Sequence, residues 1–171
     1  MKKHKLISLF LIAFTLFGFK QTDTYSKISE DIVSLEYPSS WDKMDVPGYA
    51  VIVKEKAIGD KYSVLTNFAV EFDKNYNDLK EYTVFWKNKM VNDKYLSNWE
   101  LLSEEKIKYK GFTAIEFICK YEMGSFKAKT KVIIIVADNK IINLNTTSSL
   151  GSFNDKTEIT DRIYDSVRIR K

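Results

Sequence analysis

Apolar and polar residues alternate along most of this chain, and twice the spacing changes to that of a helix. In Asp31 to Tyr37, Val33, Leu35 and Tyr37 form an apolar face against Ile32, Ser34 and Glu36, the pattern of a half-buried strand. Pro38 ends it, because proline has no N–H to give to a ladder. Pro47-Gly48 marks a turn into a second strand, Tyr49 to Lys54, and Val64 to Phe72 reads as a third. From Asp78 to Val91 the period lengthens. Leu79, Tyr82, Trp86 and Met90 fall on one helical stripe, and Asp78 is placed to accept the backbone N–H of Glu81.

Long β runs follow. Leu101 to Lys110 is joined through Gly111 to Phe112–Tyr121, where Thr113, Ile115, Phe117, Cys119 and Tyr121 share a face. Lys127 to Ala137 contains Val132 to Val136, apolar at every position, which predicts a central strand covered on both sides. Asp138-Asn139 turns the chain into Lys140–Thr147. A second helix is expected over Asn154–Ser166, started by Asp155 and Glu158, with Ile159 and Ile163 facing inward. Turn-linked strands pair antiparallel, and two segregated helices cover them. The expected fold class is α+β, an antiparallel β-sheet flanked by helices, in one domain over residues 27–171.

The first 26 residues differ from the rest. Lys2, Lys3, His4 and Lys5 precede an apolar run from Leu6 to Phe19. That run fits the apolar region of a secretory signal peptide and is shorter than the ~20 residues of a spanning helix. Thr24 and Ser26 supply the small residues that cleavage requires, so residues 1–26 read as a signal peptide. An uncleaved leader would be the only membrane attachment. The body is expected outside the cytoplasm, periplasmic or extracellular.

The leader also accounts for the charge. The net charge is +4, yet the first 20 residues hold four lysines and no acid, so the remaining chain is balanced. The bulk basicity expected of a nucleic-acid binder is missing. The only histidine is His4 in the leader, so the body lacks histidine triads, histidine bases and histidine-bound zinc. The only cysteine is Cys119, so no intramolecular disulfide forms and a packed core must provide stability.

The remaining motifs have ordinary readings. Asp73, Asn75 and Asn77 have calcium-loop spacing, but Asp78 stands where glycine belongs and Val84 where the bidentate glutamate belongs. A polar turn into a capped helix explains them. Ser40-x-x-Lys43 and Ser103-x-x-Lys106 match the nucleophile motif of penicillin-interacting enzymes without its partner motifs. Cys119 alternates with core residues and reads as an inert buried thiol. Trp41 and Trp86 read as core plugs, whereas Trp99, between Asn98 and Glu100, is the best candidate for exposure. Asn145-Thr-Thr147 is a formal glycosylation sequon inside a strand. Glu104 to Lys108 interleaves acids and bases, as on a solvated face. No catalytic, cofactor-binding or metal-binding residue is assigned, no cofactor is expected, and no partner-binding residue is identifiable.

Several short motifs together resemble the PsbP-like family, named for an extrinsic, lumen-side photosystem II subunit and including bacterial envelope relatives such as DcrB. They are Leu35-x-Tyr-Pro-x-x-Trp41, Asn67-Phe-Ala-Val70, Lys108-Tyr-Lys-Gly-Phe-Thr-Ala-Ile-Glu-Phe117 and Phe153 to Val167, spread over about residues 30–169. The resemblance implies an α/β/α sandwich and a non-enzymatic role in docking onto, or assembling, larger complexes. Metal-binding residues of photosynthetic members include histidines, which this body lacks. The expected function is an exported, non-enzymatic accessory domain with a protein partner in the envelope or outside the cell. The alternative is a small-ligand module with an aromatic-lined pocket between sheet and helix.

Overall fold

The computed structural model describes residues 24–57 and 65–170. The basic and apolar runs of the expected leader therefore lie outside the described residues, as does Val64 at the expected start of the third strand. The described chain forms β1 (Tyr25–Glu30), β2 (Val33–Pro38), β3 (Asp42–Met44), β4 (Val51–Lys54) and β5 (Asn67–Asp73). Helix α1 (Leu79–Val91) comes next, then β6 (Ser97–Tyr109), β7 (Phe112–Met123), β8 (Phe126–Ala137) and β9 (Lys140–Ser149). Helix α2 (Thr157–Ser166) and β10 (Arg168–Ile169) complete it. The α+β class expected from the sequence is the class found.

The main sheet has seven strands in the order β3-β4-β5-β9-β8-β7-β6, and every neighbouring pair is antiparallel. Tight turns set the register from β6 to β9. Lys110-Gly111 and Asp138-Asn139 hold both central residues at positive φ, the conformation whose twist matches flanking strands. The alternation of directions leaves β5 and β6 parallel, with three strands between them. Parallel strands need a long crossover, and α1 is that crossover, laid over one face of the sheet.

The other face is covered by α2 and a three-stranded sheet, β1-β2-β10. Two cores result, one on each side of the main sheet. Val33 and Leu35 of β2 and Ile163 of α2 meet Phe68, Val70, Ile133, Ile135, Ile142 and Leu144 on one side. Tyr82 and Trp86 of α1 meet Phe117, Cys119, Val132, Ile134 and Ile141 on the other. The apolar run of β8 thus divides as expected, odd positions into one core and even positions into the other.

The differences from expectation are local. Asp78 caps α1 as predicted, its Oδ1 accepting from Glu81 N–H at 2.7 Å. The second helix begins later than expected, at Thr157, and Lys156 at its cap makes no side-chain capping bond. Lys156 is instead drawn to Glu55 at 2.6 Å, while Ser152 bonds Ser149 at 2.6 Å, so tertiary contacts hold 151–156 as turns. Strands β1, β3 and β10 were not foreseen. β1 buries only Ile28, and β3 and β10 have three and two residues, too few to show a period. Tyr25 and Ser26 belong to β1, paired with Pro38 and Tyr37, so the expected leader boundary falls inside this strand.

Candidate functional site

Most of the motifs singled out in the sequence have structural duties. Trp41 and Trp86 are buried, and Trp86 stacks on Phe117 with ring centres 5.0 Å apart. Trp99, expected to be exposed, is half-buried and packs against the α1-side core. Its indole nitrogen is buried with no oxygen or nitrogen partner; the group beside it is the Cys119 thiol. Burial pushes that thiol up to about 11, and the indole offsets this in part. A thiol held protonated at neutral pH and fully enclosed is not a nucleophile.

Asn75 N–H donates to Asp73 Oδ1 at 2.8 Å, a local turn leading to the Asp78 cap. Among the described residues, no three His, Cys, Asp or Glu side chains gather as a metal site. Ser40 lies in an exposed turn, and Lys43 pairs with Glu30 at 3.5 Å. Ser103 and Lys106 lie on β6, where a spacing of three sends side chains to opposite faces. Glu104 pairs with Lys87 of α1 at 2.9 Å, which ties the helix to the sheet edge.

The structure brings together a different set. α1 covers only part of its face of the main sheet. Beyond its C-terminal half lies a partly open cavity of about 220 Å³. Its floor is formed by Glu71 of β5, Asn145 and Thr147 of β9, Thr130 and Val132 of β8, and Tyr121 of β7. Trp86, Lys89 and Met90 of α1 form one wall, and Tyr49 closes another. Strand alternation explains the floor. Glu71, Asn145 and Thr130 stand on the same face as Val132 and Ile141, while their sequence neighbours fill the opposite core.

Glu71 is the chemical centre of this cavity. The Asn145 side-chain amide donates to its carboxylate at 3.5 Å, and the Tyr49 hydroxyl lies beside it. No lysine or arginine comes within ion-pair distance of it among the described residues. Burial holds its pKa above the usual carboxylate range, against the more distant charge of Lys89 and the neighbouring Tyr49 and Asn145 donors. The Tyr49 hydroxyl is likewise shifted upward, by burial first and by the neighbouring carboxylate second. The floor is a hydroxyl network: Thr130 Oγ1 is 2.8 Å from Thr147 Oγ1 and 3.2 Å from Tyr121 Oη. Deeper under α1, Asn143 donates to Tyr82 Oη at 2.5 Å, and burial raises that phenol to about 12.

Trp86, Met90, Tyr121, Asn145 and Thr147 were singled out in the sequence for other reasons, whereas Tyr49, Glu71, Lys89 and Thr130 were not. Glu71 interrupts the apolar Phe68–Phe72 segment, and Asn143 and Asn145 alternate with Ile142 and Leu144 in β9. That signal marks one polar stretch of a sheet face. It does not say which strands lie side by side.

The outer side of α1 is also unusual. Val84 and Val91 are two turns apart on the side opposite Trp86, and they are 52% and 59% exposed. Phe85 beside them stacks on Tyr76 at 4.9 Å, and Tyr95, just past the helix, is 69% exposed. Lys80, one turn before Val84, and Lys94, its ammonium 4.8 Å from the Tyr95 ring centre, flank this row without an ion pair among the described residues. No helix among the described residues is long and apolar enough to cross a membrane.

No family model matches the chain. No curated protein matches it in sequence. Solved structures do match its fold. The cyanobacterial PsbP of Synechocystis sp. PCC 6803 superposes with a TM-score of 0.63 at 16% identity, over 90% of this chain and 96% of that one. LpqN of Mycobacterium tuberculosis, described as involved in cell envelope biogenesis, gives 0.62 at 11% identity, over 88% and 92%. The Ran-binding protein Mog1p of Saccharomyces cerevisiae gives 0.59 at 10% identity, over 86% and 96%. The fold is therefore PsbP-like, as the sequence motifs implied.

Proposed function

We propose that this chain is an exported, non-enzymatic accessory domain that binds a protein partner in the cell envelope or outside the cell. The observation that carries the reading is the exposed row of Val84, Phe85, Val91 and Tyr95 on α1. A helix that serves only to cover a sheet puts its apolar residues on one side. This one has a second apolar side facing solvent, bordered by lysines without ion-pair partners among the described residues. A protein surface with an apolar centre and an acidic rim complements it.

Support for a non-catalytic role comes from the chemistry. The only histidine lies in the leader, and the only thiol is enclosed and protonated. Support for an accessory role comes from the fold, which is shared with proteins described as a PsbP, a cell-envelope protein and a Ran-binding protein. Export rests on the basic and apolar leader. A cut ahead of Tyr25 keeps β1 whole, whereas a cut after Ser26 removes two paired residues. Ser26 Oγ lies 2.8 Å from Ser39 Oγ, and the Arg162 guanidinium sits 3.7 Å from the Tyr25 ring centre.

The test is in-cell crosslinking of the tagged full-length protein, with fractionation and mass spectrometry. One recurrent envelope or extracellular partner, lost in a Val84→Asp/Val91→Asp variant that folds normally, is the expected result. A cytoplasmic protein with its leader intact contradicts export. A partner retained by the variant contradicts the surface, and a soluble monomer without crosslinks contradicts the partner. The mass of the mature N-terminus reads the cleavage position directly.

A further inference from the structure

We propose that the cavity under α1 is a binding site for a small organic cation, an ammonium group carried on a compact apolar or aromatic body. The argument starts from Glu71. A carboxylate taken partly out of water costs free energy unless a cation or several donors compensate. Glu71 has one neutral donor in hydrogen-bond contact, the Asn145 amide at the long distance of 3.5 Å, with the Tyr49 hydroxyl nearby and no cation in contact among the described residues. Its charge is therefore under-compensated and faces a space of about 220 Å³. An ammonium entering that space would supply the missing counter-charge and donate to the carboxylate in a charge-assisted bond.

The walls fit such a guest. Trp86, Tyr121 and Tyr49 line the cavity with aromatic rings, and Met90 and Val132 add apolar surface. Cations are attracted to aromatic faces, most strongly where water is excluded. The volume lies below the ~300–1,000 Å³ of drug-sized pockets, which restricts the guest to a small molecule. Thr130, Thr147 and Asn145 provide neutral acceptors along the floor for any further N–H or O–H of the guest. Anions are disfavoured because the central group is itself acidic. Lys89 and Asp93 stand together at the rim and bring opposite charges to the mouth.

Binding couples to protonation. Burial raises the Glu71 pKa in the empty cavity, and a bound cation favours the ionised form, so affinity falls as pH drops through the carboxylate range. The experiment titrates the protein with choline and with phenethylamine by NMR, each beside an uncharged isostere of the same shape. Chemical-shift changes should appear at Glu71, Tyr121, Asn145 and Lys89 for the cations and be weaker for the isosteres. Glu71→Gln should weaken cation binding by roughly tenfold or more, the size of a lost hydrogen bond to a charged group. That variant removes charge from a desolvated place, so its own stability at neutral pH should not fall. The proposal is overturned if neither cation binds, if Glu71→Gln binds them equally well, or if the isosteres bind as tightly. The α1 outer surface does not enter this test, so the protein-partner reading stands or falls separately.

Discussion

The two faces of the main sheet are built for different work. On one, α2 and the small sheet close over an almost wholly apolar core. Two phenols there are tied down, Tyr164 Oη donating to the Lys131 carbonyl at 3.0 Å and Tyr109 Oη to the Tyr164 carbonyl at 2.6 Å, while the buried Thr146 hydroxyl has no partner among the described residues. The outer side of α2 presents Glu158, Arg162 and Asp165 to solvent, an ordinary charged surface. On the other face, α1 is the only helix among the described residues and leaves part of the sheet open. Its core includes a half-buried acid, paired asparagines and threonine hydroxyls, and its outer side is apolar where that of α2 is charged. A crossover helix must run from β5 to β6 whatever it covers, so topology fixes its presence. Its unneeded exposed apolar residues and the cavity beside it are what topology leaves unexplained. On the function proposed above, the α2 face serves stability and the α1 face recognition.

The sharpest way to break this contrast is to damage each face and read both properties. Ile135→Ala opens a cavity in the α2-side core and should cost about 2–5 kcal/mol in denaturant unfolding, with partner capture unchanged in the molecules that remain folded. Val84→Asp/Val91→Asp should leave stability within about 0.5 kcal/mol per exposed substitution while abolishing partner capture. A large stability loss there would show that the outer row is structural.

Glu71→Gln sharpens the comparison through pH. The folded-state pKa of Glu71 is raised, so its contribution to stability is greatest below the unfolded carboxylate pKa near ~4.3 and is lost as pH rises through the folded value. Denaturation from pH 4 to pH 7 should therefore show Glu71→Gln gaining on the native protein as pH rises. No pH-dependent difference would mean that the carboxylate is not desolvated.

The smallest effect belongs to the ion pair of Asp31 in the β1–β2 turn with Lys140 at the start of β9, 2.6 Å apart. The Lys140 hydrogen bond holds the Asp31 pKa below its ordinary value, and Asp31 raises that of Lys140. The Asp31 contribution is present above the unfolded aspartate pKa and is lost as pH falls through the folded value. The Lys140 contribution is lost only when pH rises past the lysine range. Asp31→Asn should lower the melting temperature slightly at neutral pH and not at all once Asp31 is protonated in both the folded and the unfolded chain.

The same contrast explains what could be read from the sequence. The α2-side core was legible because Val33, Leu35, Ile133, Ile135, Ile142 and Ile163 repeat at strand and helix periods. The strands from β6 to β9 followed from those periods and their turns. The α1 cap was legible because Asp78 and Glu81 are local. The cavity was not, because Tyr49, Glu71, Lys89 and Asn145 come from separate segments that meet only when β5 pairs with β9 and α1 crosses over them. The short edge strand β3 and the terminal β10 carry too few residues for a pattern, and the false start at Asp155 shows tertiary contacts overriding a local capping signal.

The division between the faces is tested most directly by placing a photo-crosslinking amino acid at Val91 on α1 and, separately, at Glu158 on α2 in the full-length protein in cells. Capture of one defined protein from Val91 and none from Glu158 is the predicted result. Equal capture from both positions, or capture from Glu158 alone, would contradict it.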